Sequence, residues 1–500
     1  MKNNIKEMSR KIISARKKGA RKTNNIVNLL KGHEFIVQSG EATVATIYPV
    51  VESATLELAK HFLRDYTPLV CLVIHGHATY AMEKNQALEV GRYFLSAAEK
   101  GRALIIHNTW KNYFASFNRL CISLLNTKLP KLTNHQLTGL YAEFYRTYVK
   151  EYSLALITDG FGFLMDEYFP DIISKKIKND KLVPQIVSEL TNPAEKSFLE
   201  KEKEFLAFLA KKHKLHARKR NFAKAYDEYF QNYYWIKSSY ARNRNLDLAY
   251  FKKELHKISL NASLKKNAKD KKIKDKIIGK YKLGKEIKTL VKLVEMTTLW
   301  QDLRKMANMK ANYWLHILNG QIAKRLKLKL SDLEFLTPHE ITSIFEDTKP
   351  LKSLPERKQK FGFIGTRTRV ETIPRQKLYE VKSIITEPAD LTQNVIRGNI
   401  ASKGYARGIV KIIQSSSEIS KITKGEIIVC SMTRPELMPA VKKAKAIITD
   451  EGGITCHAAI VSRELHIPCI IGTKIATKVL KDGDLVEFGL EDRIIKIIRK

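Results

Sequence analysis

The spacing of apolar residues changes once along this 500-residue chain, and the change constrains the fold more than any other feature. Over residues 50–345 apolar side chains recur every three or four positions, which places them on one face of an α-helix. One such stripe consists of Leu137, Leu140, Tyr141, Phe144, Tyr148 and Tyr152. After residue 393 the apolar segments are short and continuous, as in strands buried on both faces. The sequence therefore predicts a multidomain protein, with a large, mainly α-helical N-terminal region and a C-terminal α/β domain.

A chain of 500 residues is too long for a single hydrophobic core, and these patterns divide it into four segments. Residues 1–130 are expected to form a basic N-terminus and a small mixed α/β section, and residues 131–345 a helical domain. Residues 346–392 contain four prolines among short apolar pieces and are expected to form a connector with strands or an extended crossing. Residues 393–500 are expected to form the α/β domain.

Composition limits the class of protein. Hydrophobic residues make up 44% and charged residues 28% of the chain, as in globular proteins. No apolar run reaches the length of a membrane span, and the basic N-terminus lacks the apolar core of a secretion signal. The five cysteines show no CxxC pairing, and His75 and His77 have no further ligands at useful spacing, so neither a disulfide framework nor a metal site is expected. A cytoplasmic protein is predicted.

The net charge of +38 raises the question of nucleic-acid binding, because clustered Lys and Arg gain affinity by displacing counterions from phosphates. The excess is spread almost evenly along the chain. Two local basic runs, 211–220 and 265–276, are read as solvated helix faces or connectors. A nucleic-acid partner is therefore disfavoured.

The C-terminal segment alternates strands and helices. "GEIIVCS", "KAIITD" and "IPCIIG" are predicted as buried strands, and "DGDLVEFGLEDRIIKII" as a hairpin-like strand pair. A helix is expected to begin at Thr433 as N-cap, because Glu436 follows at capping-box spacing. A second helix is expected over 457–465. The order of these elements predicts a compact α/β domain.

The sequence "TDEGGITCH" (449–457) joins one of these strands to the second helix. Gly452 and Gly453 allow a sharp turn whose N–H groups face an anion without Cβ obstruction. The helix start adds unpaired N–H donors and a positive dipole end, and Thr455 adds a hydroxyl. A histidine here stays neutral and nucleophilic, so His457 is suited to attack phosphorus and to hold a phosphoryl group. On local residues alone, a capping or buried histidine is an equally good interpretation.

The longer segment "MTRPELMPAVKKAKAIITDEGGITCHAAIVSRELHIPCIIGT" (432–473) resembles the swivelling phosphohistidine domain of the phosphoenolpyruvate-utilising enzymes. That family includes phosphoenolpyruvate synthase, pyruvate phosphate dikinase, enzyme I of the sugar phosphotransferase system and rifampicin phosphotransferase. The resemblance implies that His457 is phosphorylated and that Gly452, Gly453 and Thr455 surround the phosphoryl group. It also implies that Thr433 and Arg434 face the same group.

The helical region is similar, less specifically, to the middle region of the rifampicin phosphotransferase and synthase-like proteins. The better marker is "LSDLEFLTPHEI", which predicts a capped helix start after a short acidic turn. By this resemblance the helical domain binds a small-molecule acceptor. The acceptor itself stays open: pyruvate, water, a drug-like hydroxyl compound and another protein are all compatible with the sequence.

In the resembling enzymes an ATP-grasp domain phosphorylates the histidine, and some members carry a barrel domain that handles pyruvate. Neither is recognisable in this chain, so we expect a separately encoded ATP-grasp partner that binds ATP and Mg²⁺, with no cofactor assigned to the chain itself. The principal hypothesis is a phosphotransferase component that carries a phosphoryl group from ATP or phosphoenolpyruvate. The alternatives are a non-catalytic regulatory protein that uses the domain as an interaction module, and a basic nucleic-acid-associated protein.

Overall fold

The computed structural model of the chain describes residues 26–499, apart from residues 63, 178, 180–181, 194, 214, 216–221, 241–242, 244–245, 257–266, 387–392, 415, 434–436, 454–455 and 490–492. A large, mainly helical N-terminal region precedes an α/β domain, which confirms the predicted fold class. None of the described helices combines the length and the apolar character that a membrane span requires. The two basic runs lie partly outside the described residues.

The amphipathic segments of the N-terminal region form helices, several of which begin at capping boxes. Thr337, for example, donates its backbone N–H to Glu340 Oε2 over 2.9 Å and accepts the Glu340 N–H, as expected for "LSDLEFLTPHEI". The described helices are α1 (Ile26–Leu30), α2 (Val44–Glu52), α3 (Leu58–Phe62), α4 (Lys84–Glu99), α5 (Ala103–Leu125), α6 (Asn134–Ala155), α7 (Ile157–Lys176), α8 (Val183–Thr191), α9 (Phe198–Lys212), α10 (Phe222–Tyr233), α11 (Leu248–His256), α12 (Asn267–Lys280), α13 (Gly284–Leu326), α14 (Leu330–Leu333), α15 (Pro338–Thr342), α16 (Leu354–Gln359) and α17 (Leu378–Ile385).

An antiparallel sheet of five strands lies in the same region, in the order β1-β3-β2-β4-β5. The strands β4 and β5 come from residues 346–392, where the sequence predicts a connector with strands or an extended crossing. Strand β4 pairs along its whole length with the central strand β2. The strands are β1 (Phe35–Glu41), β2 (Leu69–Ile74), β3 (His77–Glu83), β4 (Lys360–Gly365) and β5 (Val370–Thr372).

One hydrophobic core serves both the sheet and the helices. It runs from Ala42 to Phe363 and includes buried side chains on α2, α6 and α13. The predicted boundary between a mixed section ending at 130 and a helical domain beginning at 131 is therefore absent, because both halves bury their apolar faces against each other. The stripe on α6 faces this core, with Leu137, Tyr141 and Tyr148 buried.

Two helices of this core cross at a pair of glycines. A Cβ on Gly160 of α7 would lie 2.7 Å from the Ala87 carbonyl oxygen of α4 and 2.9 Å from Val90 Cβ. A Cβ on Gly91 of α4 would in turn meet the Gly160 carbonyl. The absence of both side chains lets the two backbones approach more closely than any other residue type permits.

The C-terminal domain contains an eight-stranded sheet in the order β6-β13-β12-β8-β9-β10-β11-β7. Its centre, β8-β9-β10-β11, is parallel, and β12 and β13 form the predicted antiparallel pair. The strands are β6 (Val395–Arg397), β7 (Asn399–Ser402), β8 (Ala406–Ile412), β9 (Ile427–Cys430), β10 (Ala446–Thr449), β11 (Cys469–Ile471), β12 (Leu485–Phe488) and β13 (Ile494–Arg499), and the helices are α18 (Met438–Val441), α19 (His457–Leu465) and α20 (Ala476–Val479).

The first turn of the helix predicted from Thr433 falls on residues that the structure does not describe. Among the described residues, helix α18 spans Met438–Val441, and Leu437 is its N-cap residue. Pro439 suits the first turn of a helix, where its missing N–H costs nothing. Residues 434–436, which include the expected capping partner Glu436, lie outside the described part of the chain.

A pH-dependent contact joins α2 to α15. His339 Nε2 lies 2.8 Å from Glu52 Oε2, which also accepts the Tyr145 hydroxyl. The hydrogen bond with Glu52 raises the pKa of His339. Burial raises the pKa of Glu52, but the hydrogen bonds from His339 and Tyr145 outweigh it, and the net shift is downward. Near pH 6 the imidazole of His339 and the carboxylate of Glu52 are therefore both charged.

Because the folded pKa of His339 is raised, its contribution to stability is fully present below the unfolded pKa of 6.5 and is lost as the pH rises through the folded value. We expect His339→Ala to lower the urea midpoint more at pH 6 than at pH 9. The loss in free energy of unfolding caused by the variant should differ between the two pH values by less than about 1 kcal/mol, since the imidazole is partly exposed. His135→Ala, at an exposed position of α6, is the control; an equal effect of His339→Ala at both pH values would contradict the assignment.

Candidate phosphohistidine site

The site begins where the buried strand β10 ends. Gly452 has φ +113, a left-handed conformation that favours glycine, and a Cβ there would lie 2.7 Å from Cys456 Sγ. The Cys456 N–H donates to the Gly453 carbonyl oxygen over 2.9 Å and closes the turn. The glycine pair thus serves the sharp reversal that the sequence predicts between β10 and α19.

Helix α19 begins at His457. Cys456 is its N-cap residue and accepts the Ala459 N–H on Sγ at 3.4 Å. The first N–H groups of a helix lack intrahelical partners and form the positive end of the dipole. The described part of His457 is its backbone, which lies in this first turn. The backbone of His457 therefore lies at the positive end of the dipole of α19, and its role toward an anion stays a prediction.

The carboxylate of Asp450 anchors the turn from behind. Its Oδ1 accepts the Thr473 hydroxyl at 3.1 Å and the Thr477 N–H at 3.0 Å, and its Oδ2 accepts the Thr477 hydroxyl. Burial raises the pKa of Asp450, whereas these hydrogen bonds lower it. The first residue after β10 is therefore fixed to the segment that follows β11, which holds the glycine turn at the carboxyl edge of the parallel strands.

The structure brings together some of the predicted phosphate-binding residues. Gly452 and Gly453 form the turn directly before α19, and Thr433 is buried beyond the end of β9. Thr455 and Arg434 lie outside the described residues. The roles of all five residues toward a phosphoryl group stay predictions.

The edge of the sheet that carries the turn faces the N-terminal region. Glu451 Oε1 accepts the Ser39 backbone N–H at 2.8 Å and also the Ser431 hydroxyl. The hydroxyls of Ser39 and Ser431 lie 3.1 Å apart. Residues that follow β9 and β10 thereby contact strand β1, and we call this arrangement the docked state.

Helix α7 supplies a carboxylate to the docked turn. A Cβ on Gly453 would overlap the carboxylate of Asp166, so the side chain lies directly against the glycine backbone. Burial raises the pKa of the Cys456 thiol, the negative charge of Asp166 raises it further, and Lys305 and Arg463 lower it. Asp166 and Lys305 of α13 therefore both lie close to the residue that precedes His457.

Lys305 occupies a charged strip of α13. Burial lowers its pKa, and the neighbouring carboxylate of Asp302 raises it. Burial also raises the pKa of Asp302 to about 6, although the Phe198 N–H donates to its carboxylate. Next to Lys305, Arg304 donates to Asp159 of α7 over 2.6 Å. The Asp166 carboxylate of α7 thus lies against the turn, and the charge of Lys305 on α13 acts on Cys456 within it.

Sequence reasoning missed Asp166, Lys305 and Ser39. Each is a single charged or polar residue in a segment whose pattern indicates only a helix or a strand. Their importance comes from docking against a turn that lies 148 or more positions further along the chain, and no local spacing encodes such a contact.

The chain is similar to known proteins in its C-terminal domain. Residues 422–488 match the family model described as "PEP-utilising enzyme, mobile domain". A probable phosphoenolpyruvate synthase of Archaeoglobus fulgidus is 50% identical over 126 residues, which is 25% of this chain and 16% of that protein. The phosphoenolpyruvate synthase of Pyrococcus furiosus is 53% identical over 97 residues, which is 19% of this chain and 12% of that protein.

A third similar protein is named an uncharacterized phosphotransferase, YvkC, of Bacillus subtilis. It is 35% identical over 178 residues, or 34% of this chain and 20% of that protein. The similarity to these three relatives therefore spans at most a fifth of their length.

Proposed function

We propose, from the premise that this chain is a member of the phosphoenolpyruvate-utilising enzyme family through its C-terminal domain, that His457 carries a phosphoryl group. The observation that carries the proposal is the position of His457 within the family match, at the first residue of a helix and after a glycine turn. The phosphoryl group forms a phosphoramidate with the imidazole, and this bond keeps the group transferable.

The surroundings of His457 fit a dianion. The N-terminus of α19 supplies N–H donors, and Gly452 and Gly453 add no side chain of their own to the turn. Lys305 adds a positive charge from the N-terminal region. Because these dipoles and the ammonium are already in place, the protein needs to reorganise little when the phosphoryl group arrives.

The whole chain then acts as a phosphotransferase component. We propose that a separately encoded ATP-grasp protein charges His457 from ATP with Mg²⁺, and that the N-terminal region holds the acceptor. The contacts of Ser39 and Asp166 with the C-terminal domain support delivery of the group toward this region. Of the alternatives, a purely non-catalytic module has no chemical need for a histidine at this helix start.

The test uses labelled ATP, this chain and a candidate ATP-grasp protein from the same genome. We expect an acid-labile, alkali-stable phosphoprotein, and we expect His457→Ala to lose at least about 99% of the label because the nucleophile is gone. His466→Ala, at the exposed end of α19, should label normally. Equal labelling of the His457→Ala variant would contradict the assignment of His457.

A further inference from the structure

A small polar cavity lies within the N-terminal region, between the start of α2 and the last turns of α13. Its lining includes Thr46 of α2, Asn319 of α13, Asn243 between α10 and α11, and Glu334 directly after α14. It accommodates about one ligand of the size of a water molecule. None of these residues belongs to the phosphohistidine site, so the cavity requires a separate explanation.

Two buried amide oxygens of this lining, Asn319 Oδ1 and Asn243 Oδ1, have no hydrogen-bond donor among the residues that the structure describes. The Asn319 side chain is only 1% exposed. The orientation of the Asn243 amide is fixed by its nitrogen, which donates to the Asn312 carbonyl oxygen over 2.8 Å. Because a buried acceptor without a donor costs free energy, the two oxygens indicate a ligand that interacts with acceptors.

A carboxylate adds a third acceptor to the lining. Glu334 Oε1 lies 3.3 Å from His316 Nδ1. The Glu334 backbone carbonyl accepts the Ala45 N–H over 3.1 Å. The Tyr240 carbonyl accepts the Thr46 hydroxyl over 2.5 Å. These two backbone contacts tie the first turn of α2 to the segments that carry Glu334 and Asn243, so the acceptors are held in place by the fold.

Three oxygen acceptors around a water-sized cavity suit a cation. Water has two hydrogens and can satisfy the two amide oxygens, but a cation interacts favourably with both amides and with the carboxylate. Divalent ions fit less well, because Ca²⁺ takes about six to eight oxygen ligands and usually several carboxylates. Among the described residues, no group of three or more His, Cys, Asp or Glu side chains is placed to hold a metal ion. K⁺ and NH₄⁺ carry one charge and have nearly the size of water.

We propose that this cavity binds one monovalent cation of the size of K⁺ or NH₄⁺, with Asn319, Asn243 and Glu334 as oxygen ligands. The bound ion joins the start of α2 to the end of α13 and to the residue after α14. It therefore stabilises the N-terminal region, and this role is independent of any phosphoryl group on His457.

The experiment measures the thermal unfolding midpoint of the full chain while K⁺ replaces tetramethylammonium at constant chloride concentration. A ligand that binds only the folded state raises the midpoint, and tetramethylammonium is too large to enter the cavity. We expect a saturating rise of at least about 2 °C in K⁺ and a similar rise in NH₄⁺. Equal midpoints in K⁺ and tetramethylammonium would indicate an ordered water only and would overturn the proposal.

Variants of one lining residue locate the ion. Asn319→Leu removes a ligand oxygen and should abolish the dependence on K⁺, whereas Asn319→Asp adds a charge and should enlarge it, because the ion then compensates a buried carboxylate. Thr297→Val is the control: Thr297 is buried on the same helix, outside the lining, and the variant should keep the wild-type dependence. A full K⁺ effect in Asn319→Leu, or an unchanged one in Asn319→Asp, would contradict the site even if the other variant fails to fold.

Discussion

Replacing Gly453 by alanine is expected to weaken the docked state, because the new Cβ would overlap the carboxylate of Asp166, which must then turn away from the turn. A disulfide between cysteines introduced at Ser39 and Ser431 reports docking, since the two hydroxyls lie 3.1 Å apart. In this background we expect Gly453→Ala to reduce the rate of disulfide formation at least about tenfold, which corresponds to about 1.4 kcal/mol of docking free energy.

The matched control is Gly489→Ala in the same domain, where a Cβ meets nothing within 4 Å. A compensating change sharpens the test: Asp166→Ala removes the overlapped carboxylate, so Gly453→Ala combined with Asp166→Ala should recover disulfide formation. Rapid disulfide formation in the single Gly453→Ala variant would contradict the docked state.

Replacing Gly160 by alanine is expected to cause the largest loss of stability. Its Cβ would lie 2.7 Å from the Ala87 carbonyl oxygen and 2.9 Å from Val90 Cβ, so α4 and α7 must separate. Overpacking of this kind costs about 1–3 kcal/mol, and here it outweighs the better helix propensity of alanine. The urea midpoint of the full chain measures the effect.

Gly139→Ala is the control for Gly160→Ala, since it makes the same chemical change at an exposed position of α6 with nothing within 4 Å. This variant should gain up to about 1 kcal/mol through helix propensity. A loss at Gly160 and a gain at Gly139 are expected; equal changes at the two positions would show that the crossing of α4 and α7 tolerates a side chain.

The parts of the fold encoded by local periodicity were predictable. The apolar stripe of α6, the strands β9, β10 and β11 and the helix from His457 follow from spacing within one element. The sequence predicts strands in the connector as one possibility, but not their partners, because β4 pairs with β2, almost 300 residues earlier. The shared core of the sheet and the helices is likewise a property of contacts between distant segments.

Some residues of the candidate site could likewise be identified from the sequence, and others could not. His457 and its glycines form one continuous motif, so the turn, the helix start and the similarity to the mobile domain were readable from the sequence. Asp166 and Lys305 carry no motif, and the pattern of helix α7 does not distinguish an aspartate that contacts the C-terminal domain from a solvated one. Only the approach of Gly453 to α7 singles out Asp166.

The most direct measurement of the central claim is the site of phosphorylation. The chain is treated with potassium phosphoramidate, digested at alkaline pH and mapped by mass spectrometry, which needs neither the ATP-grasp partner nor the acceptor. The account predicts that His457 is phosphorylated faster than any of the other 12 histidines. It also predicts that this preference disappears when the chain is unfolded in urea before the treatment. Phosphate on other histidines with none on His457 would contradict it.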